Sequence, residues 1–238
     1  MSAALNGAIL VSVAGGVLSL DRTAAFQVMV SRPIVTAPVI GYLLGHPLWG
    51  LVAGAVLELL LIGDLPVGRY VPVHETALSA LVTGITVVAL EGMGAADGYA
   101  GLKSEMTVLP LAVLIALPVG KVFQKADIIT RKMNARLFER AALSIDAGSA
   151  VLLRENLKGA ALFLITNTVA LLVTAVPLMT GAEYVFTRFA LKPFTAAFAA
   201  LLLAGAGAAA WSITTGRSAY VFGASAAVAG AILTWLAL

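Results

Sequence analysis

Between residues 21 and 76, a sequence apolar enough for a lipid bilayer is interrupted repeatedly by proline, glycine and ionisable residues. These are Asp21, Arg22, Arg32, Pro33, Pro38, Gly45, Pro47, Glu58, Asp64, Pro66 and Glu75. A bilayer holds no water to satisfy irregular backbone, which therefore occurs at membrane depth only where it is buried in protein or lines a cavity. We interpret this stretch as a polar pathway through a membrane.

The composition of the whole chain is that of a membrane protein. Hydrophobic residues make up 61% and charged residues 11%, with a mean hydropathy of +1.00, whereas soluble domains are nearer half apolar and a quarter charged. Because about 20 residues cross the hydrocarbon layer, 238 residues leave no room for a soluble catalytic domain. The absence of cysteine excludes disulfides, thiolate metal sites and a phosphocysteine. We expect one integral membrane domain over residues 1–238.

Apolar segments predict an all-α polytopic fold with about six transmembrane helices. The expected spans are residues 3–19, 76–93, 107–122, 159–180, 193–213 and 218–238. No lysine or arginine precedes the first of them, so we expect a retained helix there rather than a cleaved signal peptide.

Residues 33–63 are expected to form a re-entrant hairpin. Pro33 and Pro38 each remove a backbone donor, and Gly45-His46-Pro47 is a natural turn between arms at 34–44 and 48–63. Each arm is too short or too broken to be an ordinary span. The alternative is that the two arms make two full crossings of the membrane.

The topology follows from the basic residues if the hairpin returns to its own side. One face then holds all 15 lysines and arginines except Lys103, Arg188 and Lys192, and the positive-inside rule makes it cytoplasmic, with both termini outside. Its densest part, residues 121–158, is predicted to form amphipathic helices at the cytoplasmic surface. These charges either hold topology or form a docking surface for a soluble partner, and nothing in them indicates nucleic-acid binding.

Two groups of polar residues are candidates for a ligand site. Gly50, Gly54 and Glu58 share one helical face; since a carboxylate at the bilayer centre costs roughly 2.5–3.5 kcal/mol, Glu58 is expected to face a wet cavity or a partner group. Asp64 and the His74-Glu75 pair lie in the next connection, where carboxylates would suit a hydroxylated ligand. No metal-ligand spacing, cofactor motif or catalytic motif is present, so we assign no metal, cofactor or catalytic residue.

A series of short motifs follows the first predicted helix. They are Leu20-Asp21-Arg22-Thr23-Ala24-Ala25-Phe26-Gln27, Ser31-Arg32-Pro33-Ile34-Val35, Pro38-Val39-Ile40-Gly41, Leu44-Gly45, Gly54, Leu57-Glu58-Leu59 and Leu65-Pro66-Val67-Gly68. In this order, over about fifty collinear residues, they closely resemble the IIC membrane component of the mannose/sorbose family of the phosphoenolpyruvate-dependent sugar phosphotransferase system.

This resemblance implies a sugar permease subunit in the bacterial inner membrane. It would form a hetero-oligomer with a IID membrane protein, while separate IIA and IIB proteins carry phosphate on histidine and deliver it to the sugar at the cytoplasmic face. The 121–158 region would be the face for IIB. The residues expected to line a hexose site are Asp21, Gln27, Glu58, Asp64 and Glu75.

The chain departs from the family pattern at two histidines. His46 stands where an acidic residue is expected, and Val73-His74-Glu75 replaces a Pro-Asp type of segment. Two alternatives therefore remain open: an ion-coupled secondary transporter with Glu58 as the coupling carboxylate, and a regulatory or scaffolding protein that keeps the fold without moving sugar.

Overall fold

The structure is a computed structural model that describes residues 3–25, 27–64, 70–93, 99–146, 152–188 and 195–213. Within these ranges the chain forms seven α-helices, and a 3₁₀ turn at Leu20–Arg22 extends the first of them. The helices are α1 (Ala3–Ser19), α2 (Pro33–Leu43), α3 (Pro47–Leu61), α4 (Glu75–Gly92), α5 (Tyr99–Asp146), α6 (Leu152–Arg188) and α7 (Thr195–Ile213). The predicted all-α polytopic fold is confirmed.

Four helical stretches in the described residues are long and apolar enough to cross a bilayer. They are Ala3–Arg22, Glu75–Gly92, Met106–Leu143 and Leu153–Phe186, and each contains or closely matches one predicted span. The predicted span at 193–213 corresponds to α7, whose apolar part, Ala196–Ser212, is shorter. The last predicted span, 218–238, lies outside the described residues.

Helix α5 is much longer than a membrane span. Its 48 residues extend about 72 Å at 1.5 Å per residue, more than twice the hydrocarbon thickness. We expected the span to end at residue 122 and separate amphipathic helices to follow, but one helix continues to Asp146. No proline or glycine occurs between residues 121 and 146, so nothing in the backbone ends the helix where the charges begin.

Helix α4 lies at the centre of the bundle. Every residue from 76 to 90 is buried, and α1, α2, α3, α5 and α6 all pack against it. Its buried hydroxyls are satisfied one turn back, because Thr83 Oγ1 donates to Ser79 O and Thr86 Oγ1 donates to Val82 O, both at 2.8 Å. These two hydroxyls therefore need no water as a hydrogen-bond partner, although they are buried among the helices that pack against α4.

Helices α2 and α3 form the predicted hairpin. At the turn, the Gly45 N–H donates to Tyr42 O at 3.0 Å and the His46 N–H donates to Gly41 O at 2.7 Å, the two bonds of a Schellman motif. Gly45 has a φ of +84°, which glycine adopts without steric cost. The arms, of 11 and 15 residues, reach about 16 and 22 Å, so neither crosses about 30 Å of hydrocarbon.

Contacts at both ends hold the hairpin along α4. At its base, Arg32 bonds both Glu58 near the end of α3 and Glu75 at the start of α4. At its tip, His46 Nε2 lies 3.7 Å from Glu91 Oε1 near the end of α4. The hairpin therefore begins and ends near the start of α4, and its turn lies near the other end of α4. That the hairpin is re-entrant in a membrane stays a prediction.

The small-residue face of α3 packs against α2. A Cβ at Gly50 would lie 2.4 Å from Ala37 O, and one at Gly54 would lie 2.7 Å from Pro33 O. One turn further on, Glu58 Oε2 accepts a hydrogen bond from the Ile34 N–H at 3.3 Å. This face is therefore a helix-packing surface that ends in a carboxylate at the N-terminus of α2, where a negative charge is favourable.

Candidate functional site

The loop between α1 and α2 is folded around the carboxylate of Asp21. Asp21 Oδ1 accepts a hydrogen bond from the Val28 N–H at 2.7 Å, and Oδ2 accepts one from the Ser31 N–H at 3.0 Å. Gln27, just before Val28, has a φ of 54°, and Met29, between Val28 and Ser31, has a φ of 67°; such values are uncommon outside glycine. The Ser31 carbonyl then accepts a hydrogen bond from Thr76 Oγ1 at 2.8 Å. Asp21 thus shapes the loop, and Thr76 ties the loop to α4.

The irregular connection before α4 is held by one side chain of its own and by side chains from two other parts of the chain. Asp64 Oδ2 accepts a hydrogen bond from the Val73 N–H at 2.9 Å. Arg22 Nη2 donates to the carbonyls of Pro72 and Val73 at 3.4 and 3.3 Å, and Gln124 of α5 donates to the Val71 carbonyl. Four backbone groups of residues 71–73 are thereby satisfied although these residues form neither helix nor strand.

Asp64 also accepts a hydrogen bond from the hydroxyl of Tyr70. This bond raises the pKa of Tyr70, because the phenolate would lose the bond and face the carboxylate. Asp64 therefore has two partners within its own connection, one from the backbone and one from a side chain.

Arg32 joins the hairpin to α4 through two carboxylates. Its Nε donates to Glu58 Oε1 at 2.9 Å, its Nη2 donates to the same oxygen, and its Nη1 donates to Glu75 Oε2 at 3.0 Å. The side chains of Arg32, Glu58 and Glu75 are 26%, 20% and 16% exposed. The planar guanidinium suits two carboxylates in one plane better than a lysine would.

These three parts surround a cavity of about 410 Å³, within the range of about 300–1,000 Å³ of small-molecule sites. Its walls combine carboxylates, guanidinium groups, an amide and hydroxyls, which together offer both donors and acceptors to a polyhydroxylated ligand. The lining residues are Asp21, Arg22, Thr23, Gln27, Met29, Ser31, Arg32, Asp64, Pro72, Glu75 and Arg131.

Four of the five residues expected at a ligand site line this cavity: Asp21, Gln27, Asp64 and Glu75. Glu58 does not line it and reaches it only through Arg32. In the structure, Glu58 orients Arg32 through a hydrogen bond between two residues that are 26 positions apart in the sequence.

Three arginines line the cavity, although none of them was among the residues expected to line a hexose site. Arg22 and Arg32 were named as parts of the polar pathway, and Arg131 belongs to the basic region at 121–158. A signal for the first two was present, because an arginine within an apolar segment requires a partner or a wet cavity. No local signal indicates that Arg131, more than a hundred residues along the chain from Arg22, reaches the same cavity.

The two unusual histidines have structural contacts. His74 is 2% exposed, and its Nδ1 accepts a hydrogen bond from the Ala77 N–H at 3.3 Å, which caps α4. Burial lowers the pKa of His74 well below its ordinary value, and the guanidinium groups of Arg22 and Arg131 lower it further. His74 is therefore a neutral helix cap.

Replacing His74 by asparagine is expected to reduce the acid sensitivity of the fold. Since the folded-state pKa is depressed, stability is full above the unfolded pKa of about 6.5 and is lost as the pH falls below it. Between pH 7.5 and 5.5 the wild type should lose about 1.4 kcal/mol more than His74→Asn, which keeps an N-cap acceptor. Thermal unfolding in detergent at both pH values measures this, and equal acid losses would contradict it.

Nothing in the described ranges forms a metal-binding cluster of three or more His, Asp or Glu residues. A second cavity, of about 510 Å³, lies between the C-terminal part of α5 and the start of α6. Phe138 and Leu153 are among its lining residues, and it shares no lining residue with the polar cavity. The polar cavity is therefore the better candidate for a hydroxylated ligand.

Comparisons with known proteins bear on this cavity. A family model described as the sorbose-specific IIC component of the PTS system matches residues 5–207, a range that contains all of the lining residues. No curated protein gives a significant match.

Proposed function

The chain belongs to the sorbose-specific IIC components of the phosphotransferase system, and from this premise we propose that its polar cavity binds a hexose-like sugar for phosphorylation-coupled uptake. It is a multi-pass membrane protein and a sugar-permease subunit of that system. The observation that carries the proposal is the convergence of Asp21, Gln27, Asp64 and Glu75 on one cavity of small-molecule size.

The residues have different roles in this proposal. Gln27 and Glu75 hydrogen-bond the sugar hydroxyls, since an amide both donates and accepts and a carboxylate accepts. Asp21 and Asp64 hold the cavity walls through the backbone bonds that they accept. Arg32 orients Glu75, and Glu58 orients Arg32.

The remaining components are proposed to be separate proteins. A IID membrane subunit completes the translocation unit, and IIA and IIB phosphocarriers supply the phosphoryl group at the cytoplasmic side of a bacterial inner membrane. Arg22, Arg32 and Arg131 line the cavity, and all three were expected on the basic face of the chain, so the positive-inside rule supports a position of the cavity near that side. Phosphorylation there would keep the sugar from returning.

The direct test reconstitutes the chain with its candidate IID, IIA and IIB partners in membrane vesicles. Phosphoenolpyruvate-dependent uptake and phosphorylation of a labelled hexose panel is the expected result. Uptake driven instead by an ion gradient, without a phosphoryl donor, would favour a secondary transporter. No phosphorylated sugar, with every component folded and phosphorylated, would contradict the proposal.

Gln27→Ala is expected to weaken sugar binding about tenfold, the effect of losing one or two hydrogen bonds of about 1 kcal/mol each. Its side chain makes no hydrogen bond to the described part of the protein, so the fold should keep its stability. The measurement is the KM for uptake together with the apparent melting temperature. Asn156→Ala is the matched control, because Asn156 is an amide that lines the other cavity. Equal KM values for the two variants would remove Gln27 from the site.

A further inference from the structure

The long helix α5 brings a basic residue into the polar cavity from a distant part of the sequence. Arg131 lies more than two turns beyond residue 122, where the membrane span was expected to end, and it lines the cavity together with Arg22. Its side chain is 41% exposed. Helix α5 therefore forms one wall of the cavity, and the ionisable residue on that wall is Arg131.

A single buried carboxylate is shared by these two arginines. Asp127, which is 2% exposed, has Oδ2 at 3.6 Å from Arg22 Nη1 and Oδ1 at 3.2 Å from Arg131 Nε. The first contact is too long for a hydrogen bond, and neither atom of it has another hydrogen-bond partner among the described residues. One negative charge faces two positive charges, so this group carries a net positive charge.

The carboxylates of the cavity are engaged elsewhere. Asp21 accepts from backbone N–H groups, Asp64 from Val73 and Tyr70, and Glu75 from Arg32. In contrast, the two terminal nitrogens of Arg131 make no hydrogen bond or ion pair in the part of the chain that the structure describes. The free guanidinium donors of the cavity therefore include the terminal nitrogens of Arg131 on α5 and Nη1 of Arg22.

We propose that the Arg22–Asp127–Arg131 group recognises the phosphoryl group of the sugar phosphate formed in the cavity, with Arg131 as its direct ligand. A guanidinium binds phosphate oxygens with two parallel hydrogen bonds, and the anion would supply the negative charge that Asp127 alone does not. Asp127 orients Arg131 through its Nε and leaves the terminal nitrogens for the ligand. This inference rests on the proposed sugar site and adds a subsite that binds the phosphoryl group.

The test measures equilibrium binding to the purified full chain in nanodiscs, by calorimetry, for mannose, sorbose and a phosphate ester of each. Arg131→Gln should weaken binding of the ester about tenfold or more, the effect of losing a charged hydrogen-bond donor, and change binding of the free sugar less than about twofold. Arg131→Lys should keep part of the ester affinity, since lysine keeps the charge but lacks the two parallel donors of a guanidinium. Lys132→Gln, an exposed neighbour of the same charge, should change neither.

The outcomes separate this inference from the function on which it rests. If the wild type binds a free sugar and Arg131→Gln weakens ester and sugar equally, or neither, the phosphoryl role is wrong. The same holds if the wild type binds a free sugar but not its ester. If the wild type binds none of these probes, the sugar site itself is contradicted.

Discussion

Arg32→Gln is expected to lower phosphorylation-coupled sugar uptake by about a hundredfold and to destabilise the fold by about 1–3 kcal/mol. The variant leaves Glu58 and Glu75 facing each other without their shared cation. Breaking a fully buried ion pair costs about 3–5 kcal/mol, and we expect less here because all three side chains keep some contact with solvent. The loss of uptake should be larger than the destabilisation alone would cause, since Glu75 lines the cavity and depends on Arg32 for its position.

Three comparisons make this prediction specific. Arg136→Gln removes an exposed arginine from α5 and should leave uptake and melting temperature unchanged. Arg32→Lys should give an intermediate uptake, because one ammonium group is poorly shaped to bond both carboxylates. Glu58→Gln should resemble a mild form of Arg32→Gln, since Glu58 acts through Arg32. Uptake by Arg32→Gln within about twofold of wild type would mean that the link between hairpin and α4 has no part in transport.

The link at Arg32 also bears on how the hairpin could move. Among the described residues, the contacts between ionisable side chains that join the hairpin to α4 are Arg32 with Glu75 at the base and His46 with Glu91 at the tip. A rocking hairpin would exchange these contacts while it kept Arg32 with Glu58, which lies within the hairpin and its first residue. A conformational change that breaks few polar contacts is compatible with two states separated by a few kcal/mol.

The hairpin was predictable because its signals are local. Pro33 and Pro47 each begin a helix, the position in which proline is favoured, and Gly45 supplies the positive φ of the turn. The predicted arms at 34–44 and 48–63 differ from the helices by one or two residues. Local backbone chemistry was sufficient for this element.

Helix α5 shows where side-chain polarity misleads. The charges that begin at Lys121 indicated a boundary, but a helix responds to its backbone, and no proline or glycine follows until residue 148. This error also affected the prediction of the site, because the continued helix brings Asp127 and Arg131 close to Arg22. Pairings across a hundred residues depend on tertiary packing, which one sequence does not specify.

The position of the polar cavity was predicted better than its detail, and that it binds a ligand stays a prediction. Ionisable residues between 21 and 76 indicated a polar pathway, and four of the five selected residues line one cavity. The sequence does not distinguish residues that bond the backbone, such as Asp21 and Asp64, from residues whose side chains are free, such as Gln27. That distinction depends on the backbone path of the loop between α1 and α2 and of the connection before α4. The hydrogen bonds of Asp21 and Asp64 themselves set these two paths.

Gly50→Ala is expected to destabilise the protein by about 3 kcal/mol or more, at the upper end of overpacking effects, and to abolish uptake. A Cβ at this position would lie 2.4 Å from Ala37 O and 2.9 Å from the Cα of Pro38. Both neighbours belong to the backbone of α2, so no side-chain rotation relieves the clash and the two arms of the hairpin must separate. Separation would displace Arg32, which begins α2, from Glu58 and Glu75.

Gly181→Ala is the matched control, because nothing lies within 4 Å of a Cβ at that position in helix α6. Alanine in an exposed helix should be neutral or stabilise the protein by about 0.5–1 kcal/mol. Melting temperature and uptake measured for both variants decide the question. If Gly50→Ala behaves like Gly181→Ala, α2 and α3 are not in backbone contact and the hairpin does not set the position of Arg32. If only Gly50→Ala loses both, close packing of the hairpin is what allows one guanidinium to reach carboxylates on two different helices.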